Sequence, residues 1–117
     1  MESKKPPEPN KASPHQDGGG KICIHITFVG FPKIYDFFQK DHINYYFSGN
    51  TLRDLVDDLI VRYGQQVKDS LWDERINRLD PCIQMVLNEK DVTSGDLRYV
   101  KLSEGDQVTF LRLLAGG

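Results

Sequence analysis

The sequence predicts an α+β fold in which one main helix packs on one face of a mixed sheet of four to five strands. Alternating apolar residues, which indicate strands, occur near both ends of the segment 21–117. Between them, residues 51–63 carry apolar side chains at helical spacing. The helix and the sheet can bury these apolar faces against each other, which is the economical arrangement for a small domain.

The length and composition suit a single domain preceded by a tail. The chain has 117 residues and a mass of 13.4 kDa, which is enough for one compact core. Residues 1–20 hold four of the six prolines and only two apolar residues, Met1 and Ala12. We expect this segment, whether native or added, to be disordered, and residues 21–117 to form the folded domain with a flexible Gly-Gly tail at its end.

Charge and hydropathy exclude several classes of partner. The net charge is −2, from 15 basic and 17 acidic residues, so no nucleic acid partner is expected. No apolar run reaches the ~20 residues of a membrane helix. The first apolar stretch, from Ile22, alternates in a way that a signal peptide does not. We therefore expect a soluble, cytoplasmic protein that binds no membrane, with Cys23 and Cys82 as reduced packing thiols.

Alternation with a period of two residues predicts the strands of the sheet. The first two strands are expected to pair as an antiparallel hairpin across an unusually apolar connection. The last strand cannot form a tight hairpin with the first, so we expect it to lie beside the first strand across the whole fold. This arrangement is the β-grasp. The predicted strands are 21–31, 42–48, 82–87, 97–102 and 107–114.

The main helix has signals at both ends. Asn50 or Thr51 can cap its first amide groups, and Asp54 lies in the positively polarised first turn. Gly64 is placed for a left-handed C-terminal cap. A second short helix or turn is expected over residues 65–80. The apolar stripe of the main helix consists of Leu52, Leu55, Val56, Leu59, Ile60 and Tyr63.

Aromatic residues are concentrated in the segment 31–47. We expect Phe31, Tyr45 and Phe47 to be core residues. Tyr35, Phe37 and Phe38 are expected to fold back on the hairpin. The alternative is an exposed docking patch, since aromatic side chains anchor interfaces.

No catalytic centre is expected, because the chain has neither a Gly-rich phosphate loop nor a nucleophile motif. Cys23 and His25 share a strand face, but no further metal ligand follows at a suitable spacing, so no metal is expected. Asp54, Asp57 and Asp58 are expected to lie on an exposed helix face. The alternative for these carboxylates is an electrostatic dock for a basic partner.

The C-terminal segment is the strongest candidate for function. The last strand runs directly into Ala115, Gly116 and Gly117. A terminal carboxyl group has a pKa of about 3.5 and is anionic at neutral pH, so it must be activated, for example as an acyl-adenylate, before transfer. Glycines without Cβ fit a narrow channel, and residues 112–117 span ~20 Å when extended. We therefore expect an arm that offers its terminus to the active site of another protein.

Three blocks of sequence carry a resemblance to a known family. They are GNTLRDLVDDLIVRYG at 49–64, VLNEKDV at 86–92 and LSEGDQVTFLRLLAGG at 102–117. With these blocks, residues 21–117 resemble the sulfur-carrier branch of the ubiquitin-like β-grasp proteins, most closely the small subunit of molybdopterin synthase. Residues 1–20 have no counterpart, and Arg112 and Leu113 stand where members usually carry a stiff pair such as Pro-Pro.

The resemblance implies a carrier that is not itself an enzyme and holds no permanent cofactor. An adenylating activating enzyme would use ATP to adenylate Gly117, and the acyl-adenylate would become a thiocarboxylate with Gly116 as its slim neighbour. The large subunit of molybdopterin synthase, or an equivalent acceptor, would receive the sulfur. The residues expected to bind these partners are Phe110, Leu111, Arg112, Leu113, Leu114 and Ala115.

Three alternatives remain open at this point. One is a thiamine-type sulfur carrier, although members of that group are short and lack a segment as long as 65–81. Another is a ubiquitin-like modifier that is attached to lysines through Gly117. The third is an interaction module in which the terminal glycines are incidental.

Overall fold

The computed structural model describes residues 21–112. The predicted tail over 1–20 and the Gly-Gly end within 113–117 lie outside the described residues. The elements are β1 (Lys21–Val29), α1 (Pro32–Phe38), β2 (His42–Ser48), α2 (Leu52–Tyr63), α3 (Gln65–Leu71), β3 (Trp72–Asp73), β4 (Arg78–Leu79), β5 (Ile83–Leu87), β6 (Lys90–Asp91), a 3-10 turn (Leu97–Tyr99) and β7 (Gln107–Arg112).

Five of the strands form one mixed sheet in the order β2-β1-β7-β5-β6. β1 pairs antiparallel with β2 and parallel with β7, and β7 pairs antiparallel with β5. The predicted α+β class, the β-grasp arrangement and the position of the last strand beside the first are therefore confirmed. Within residues 21–112, no helix is both long and apolar enough to cross a bilayer.

The core lies between the sheet and α2. β1, β2 and β7 each turn alternate apolar residues inward, as their sequence periodicity predicts. From the predicted stripe of α2, the first four residues are fully buried, while Ile60 and Tyr63 pack against the core and remain partly exposed.

A capping box begins α2. The Thr51 Oγ1 atom accepts a hydrogen bond from the backbone amide of Asp54 over 3.1 Å. The Asp54 carboxylate accepts the backbone amides of Thr51 and Asn50 in return. Of the two predicted caps, Thr51 is therefore the N-cap residue.

The connection between β1 and β2 is helical, which the sequence analysis did not predict. Pro32 begins α1, because its fixed φ suits the first turn of a helix. Ile34 and Phe38, four residues apart, are buried, whereas Tyr35 is 51% exposed. A seven-residue helix is too short to display a clear period. The aromatic segment is thus mainly core, as expected, but Tyr35 is the exposed aromatic residue of α1, against the expectation that it folds back on the hairpin.

The segment after α2 contains more structure than predicted. It forms α3 and then a hairpin of β3 and β4, which pair as a separate two-stranded sheet. Gly64 joins the two helices with φ +79° and ψ −150° rather than as a left-handed helical cap. The Gly64 amide donates a hydrogen bond to the Ile60 carbonyl at the end of α2. The Gly64 carbonyl accepts the first hydrogen bond of α3, from the amide of Lys68.

The strand predicted over 97–102 is wrong. The Asp96 carboxylate accepts the backbone amide of Arg98 over 2.9 Å and starts a 3-10 turn instead. Beyond this turn, Lys101 forms a single bridge with Thr51. The side-chain cap competes with extended pairing here, which is a frequent effect of aspartate in short loops.

Candidate functional site

β7 is an interior strand of the sheet, and the predicted arm begins at its last residue. It lies between β1 on one side and β5 on the other, and its last residue is Arg112. Of the residues expected to act at the terminus or to bind partners, Leu113, Leu114, Ala115, Gly116 and Gly117 lie outside the described residues. The structure therefore places the base of the arm, formed by Phe110, Leu111 and Arg112.

Phe110 is a core residue, so its predicted role as a direct partner contact is wrong. Its side chain is 0% exposed, and its ring stacks on that of Phe28 with centroids 5.2 Å apart. Alternation along β7 turns Phe110 inward with Val108, and a side chain without exposed surface cannot contact a partner while the domain is folded.

Leu111 points to the opposite face of the sheet and stays available as a predicted partner contact. It is partly exposed and pairs with Val29 of β1 and Gln84 of β5. Val29 is itself 43% exposed. The two side chains therefore form a small apolar surface where the arm leaves the sheet.

Arg112 is held by an ion pair within the chain. Its Nη1 atom donates to Asp80 Oδ2 over 3.1 Å and to the carbonyl of Ser70 over 3.4 Å. The exposed fractions of the two side chains are 33% for Arg112 and 23% for Asp80. Asp80 could not be predicted as a partner of Arg112, because no local pattern links residues 32 positions apart. Any partner that contacts the Arg112 guanidinium must share it with Asp80.

Gly30 lies against the backbone of the same residue. It has a φ of +85°, and a Cβ atom placed there would be 2.7 Å from the carbonyl oxygen of Arg112. Glycine is required at this turn both by the backbone conformation and by this close approach.

A groove of about 440 Å³ opens beside the base of the arm. Arg53 lies over the ring of Trp72, with its Cζ atom 4.8 Å from the ring centroid. Asp80 and Ile83 belong to the groove wall, and both also contact Arg112. The groove and the base of the arm therefore share a wall.

The charges on the groove rim balance. Arg53 and Arg78 line the groove together with Asp80 and Asp96. The hydrogen bonds from the side chain and backbone of Arg98 lower the pKa of Asp96 to about 2, which keeps that carboxylate ionised. With two cations and two carboxylates, the groove does not select a ligand by net charge.

The three helical carboxylates each have a structural partner. Asp54 belongs to the capping box, and its pKa is lowered chiefly by the hydrogen bond from the backbone of Asn50. Asp57 pairs with Arg53 at 3.0 Å. Asp58 accepts the hydroxyl of Tyr45. Asp57 is exposed as expected, whereas Asp54 and Asp58 are only partly exposed.

The two cysteines and the strand histidine also have defined places. Both thiols are free; Cys23 is buried and Cys82 is exposed, so the expectation of a packing thiol is confirmed for Cys23 and wrong for Cys82. His25 Nδ1 lies 2.6 Å from Asn44 Oδ1. Among residues 21–112, no group of three or more histidine, cysteine or acidic side chains is placed to hold a metal ion.

The fold is shared with solved structures. The solution structure of the Haloferax volcanii HVO 2177 protein matches with a TM-score of 0.67 and 17% identity, over 92% of this chain and 100% of that chain. The small archaeal modifier protein 1 from Methanosarcina acetivorans matches with a TM-score of 0.63 and 17% identity, over 83% and 98% of the two chains. A chain of the Amycolatopsis orientalis BexX/CysO complex has a TM-score of 0.59 and 25% identity, over 80% and 99%.

Sequence comparison identifies the family. No curated protein matches the chain. Residues 40–117 match the ThiS family, and the match covers more than half of the chain and includes its last residue. The chain therefore belongs to the ThiS family, whose members are small sulfur carriers of the ubiquitin-like β-grasp fold and not themselves catalysts.

Proposed function

We propose that this chain carries sulfur as a thiocarboxylate on Gly117 and donates it in molybdopterin biosynthesis. The observation that carries the proposal is the extent of the family match, which runs through the terminal Gly116-Gly117 pair. A terminus that matters for transfer is expected to belong to the family pattern, whereas incidental terminal residues are not.

The chemistry needs two steps, and both take place in partner proteins. A carboxylate oxygen of Gly117 attacks the α-phosphorus of ATP and displaces pyrophosphate, which gives an acyl-adenylate. A hydrosulfide then attacks the carbonyl carbon and expels AMP, which leaves the thiocarboxylate. The carboxylate, with a pKa of about 3.5, is a poor acylating agent until its oxygen becomes part of a good leaving group.

The partners in this proposal are an adenylating activating enzyme, which uses ATP, and a sulfur acceptor equivalent to the large subunit of molybdopterin synthase. The chain itself needs no resident cofactor. The solved BexX/CysO complex, in which one chain shares this fold, supports the idea that such a domain works through a protein partner. The choice of molybdopterin over thiamine rests on the segment that forms α3 and the β3–β4 hairpin, which is long for a thiamine-type carrier.

A second candidate is a protein modifier attached to lysines through Gly117. It is favoured by the shared fold with the small archaeal modifier protein 1 from Methanosarcina acetivorans. Trypsin cleaves after Arg112, so a conjugated lysine would carry the remnant Leu-Leu-Ala-Gly-Gly. Peptides with this remnant, from cells that express the chain, would identify the modifier function.

The main test is adenylation of the terminus. The chain is incubated with a panel of adenylating enzymes, ATP and sodium hydrosulfide, and the mass of the C-terminal peptide is measured. We expect one oxygen to be replaced by sulfur in the wild type. Deletion of Gly117, or addition of one residue after it, should abolish this change. Deletion of Gly20, a glycine outside the family match, is the matched control and should leave it intact. Sulfur on the terminus of the Gly117 deletion would refute the proposal.

The pathway is tested with the loaded carrier. Purified thiocarboxylate is mixed with the large subunit of a molybdopterin synthase and its pterin substrate. Formation of the dithiolene product, together with return of the terminus to a carboxylate, supports the proposal. Transfer instead to a thiazole-forming enzyme would assign the chain to the thiamine pathway.

A further inference from the structure

The backbone of Arg112 is enclosed on both sides at the point where the arm begins. In the sheet it pairs with Ile83, the first residue of β5. On the other side, Gly30 approaches so closely that an added Cβ would be 2.7 Å from the Arg112 carbonyl oxygen. The backbone of the strand end is therefore held from two neighbouring segments, and the side-chain contacts of Arg112 add a third support.

Contacts with α3 and with the loop before β5 hold the side chain of Arg112. Its guanidinium contacts the Asp80 carboxylate at 3.1 Å and the carbonyl of Ser70, near the end of α3, at 3.4 Å. The alternation that turns Phe110 inward also directs Arg112 to this side of the sheet. The ion pair thus connects the base of the arm to the segment between α3 and β5.

Asp80 is itself anchored by three hydrogen bonds besides the ion pair. Its backbone amide donates to the Leu71 carbonyl over 2.8 Å, and its carbonyl accepts the amide of Ile83 over 3.0 Å. Its Oδ1 atom accepts the amide of Cys82 over 2.9 Å. One carboxylate oxygen is therefore committed to the local turn, and the other is presented to Arg112 in a fixed position.

From these contacts we infer that Asp80 is a positioning residue for sulfur loading. By holding Arg112, it sets the direction in which β7 ends and from which the proposed carrier segment continues. This inference rests on the proposed function, and it adds a role for a residue outside the terminus.

Direction matters because the arm is short and its end must enter the active site of a partner. Five extended residues span ~17 Å, so a modest rotation at the base displaces the terminal carboxylate by several ångströms. If only a fraction of the chains point the arm correctly, the apparent affinity of the activating enzyme falls by that fraction. The maximal rate at saturation does not change.

Asp80→Asn tests the role with little change of shape. The asparagine carbonyl can still accept the Cys82 amide, but the charged partner of Arg112 is lost. Asp73→Asn is the matched control, because Asp73 forms an ion pair of the same length, 3.1 Å, but with Arg75 of the β3–β4 hairpin rather than with Arg112. ATP–pyrophosphate exchange is measured with the adenylating enzyme that accepts the wild type in the panel above.

We expect Asp80→Asn to raise the KM for the carrier about fivefold with kcat unchanged, and Asp73→Asn to change neither. In an Arg112→Gln background, Asp80→Asn should have no further effect, because Asp80 acts through Arg112. In ¹⁵N relaxation, the order parameter of the Arg112 amide should fall in Asp80→Asn but not in Asp73→Asn.

The outcomes separate this inference from the proposed function. No exchange with the wild-type chain overturns the proposed function and this inference with it. Exchange with the wild type that is unchanged in Asp80→Asn overturns the inference only. A KM effect that persists in the Arg112→Gln background, or an unchanged order parameter of Arg112, also overturns it, since Asp80 would then act by another route.

Discussion

The hydroxyl of Tyr45 donates a hydrogen bond to the carboxylate of Asp58 and so ties the edge strand β2 to α2. Arg62 completes the group, with its Nε atom 3.1 Å from the Tyr45 hydroxyl and 3.8 Å from Asp58 Oδ2. The Tyr45 side chain is 0% exposed. An otherwise buried hydroxyl is thereby satisfied by two charged groups at the margin of the core.

Tyr45→Phe should destabilise the domain by about 1.5 kcal/mol, because it removes a hydrogen bond to a charged group without changing the packing of the ring. Urea denaturation at neutral pH measures the change. Tyr99→Phe is the control, since Tyr99 is 74% exposed and should unfold as the wild type does. Equal stability of Tyr45→Phe and the wild type would show that the bond contributes nothing.

The same group predicts a loss of stability in alkali. Burial, followed by the hydrogen bond to Asp58, raises the pKa of Tyr45 well above its usual value. Above pH ~10, the unfolded chain releases this proton while the folded chain keeps it. The contribution of the raised pKa is therefore complete below pH ~10 and is lost as the pH rises, at up to about 1.4 kcal/mol per pH unit.

The variant Tyr45→Phe isolates this contribution. Burial also raises the pKa of Tyr63, so the wild type and the variant should both lose stability in alkali. The stability advantage of the wild type should shrink from about pH 7 to about pH 11, since only the wild type has the Tyr45 proton to retain. An advantage that stays constant or grows over this range would contradict the raised pKa.

Thr51→Ala should cost about 1 kcal/mol of stability, because it removes the side-chain acceptor of the capping box at the start of α2. Thr51→Ser keeps the hydroxyl and is the control. Thermal and urea unfolding of the three proteins give the comparison. The interpretation of Thr51 as a cap fails if the serine variant is as unstable as the alanine variant.

Features that depend on neighbouring residues were predictable from the sequence. The stripe and capping signals of α2 lie within one segment, and the alternation of β1, β2, β5 and β7 is local as well. The place of β7 beside β1 was predictable because two strands at opposite ends of the domain cannot form a tight hairpin and can pair only across the fold. These predictions succeed because short-range pattern and tertiary packing agree in this fold.

The features that the sequence did not predict depend on contacts between distant residues or on very short elements. The helix α1 has seven residues, and β3 and β4 have two each, so none of them displays a period. The ion pair of Asp80 with Arg112 spans 32 positions. Such a pair becomes apparent only when the sheet places the start of β5 beside the end of β7.

Phe110→Ala should cost about 4 kcal/mol, because it leaves a cavity in the centre of the core. Leu111→Ala, one residue further along β7, should cost much less, since Leu111 is partly exposed on the other face. We expect loss of sulfur loading in Phe110→Ala to follow the unfolded fraction measured by circular dichroism. Loss of loading by a fully folded Phe110→Ala protein would restore Phe110 as a partner contact.

Gly30→Ala and Gly105→Ala form a matched pair, because both glycines have a φ of +85°. Each alanine should cost about 1 kcal/mol for the left-handed backbone. Only at Gly30 would the new Cβ also meet the Arg112 carbonyl oxygen, at 2.7 Å, whereas nothing lies within 4 Å at Gly105. We therefore expect Gly30→Ala to be less stable than Gly105→Ala by a further 1 to 3 kcal/mol, roughly.

Chemical shift changes at Arg112 in Gly30→Ala, absent in Gly105→Ala, would show that the clash displaces the base of the arm. If the two variants are equally stable and the chemical shifts of Arg112 do not change, the turn at Gly30 does not support the end of β7.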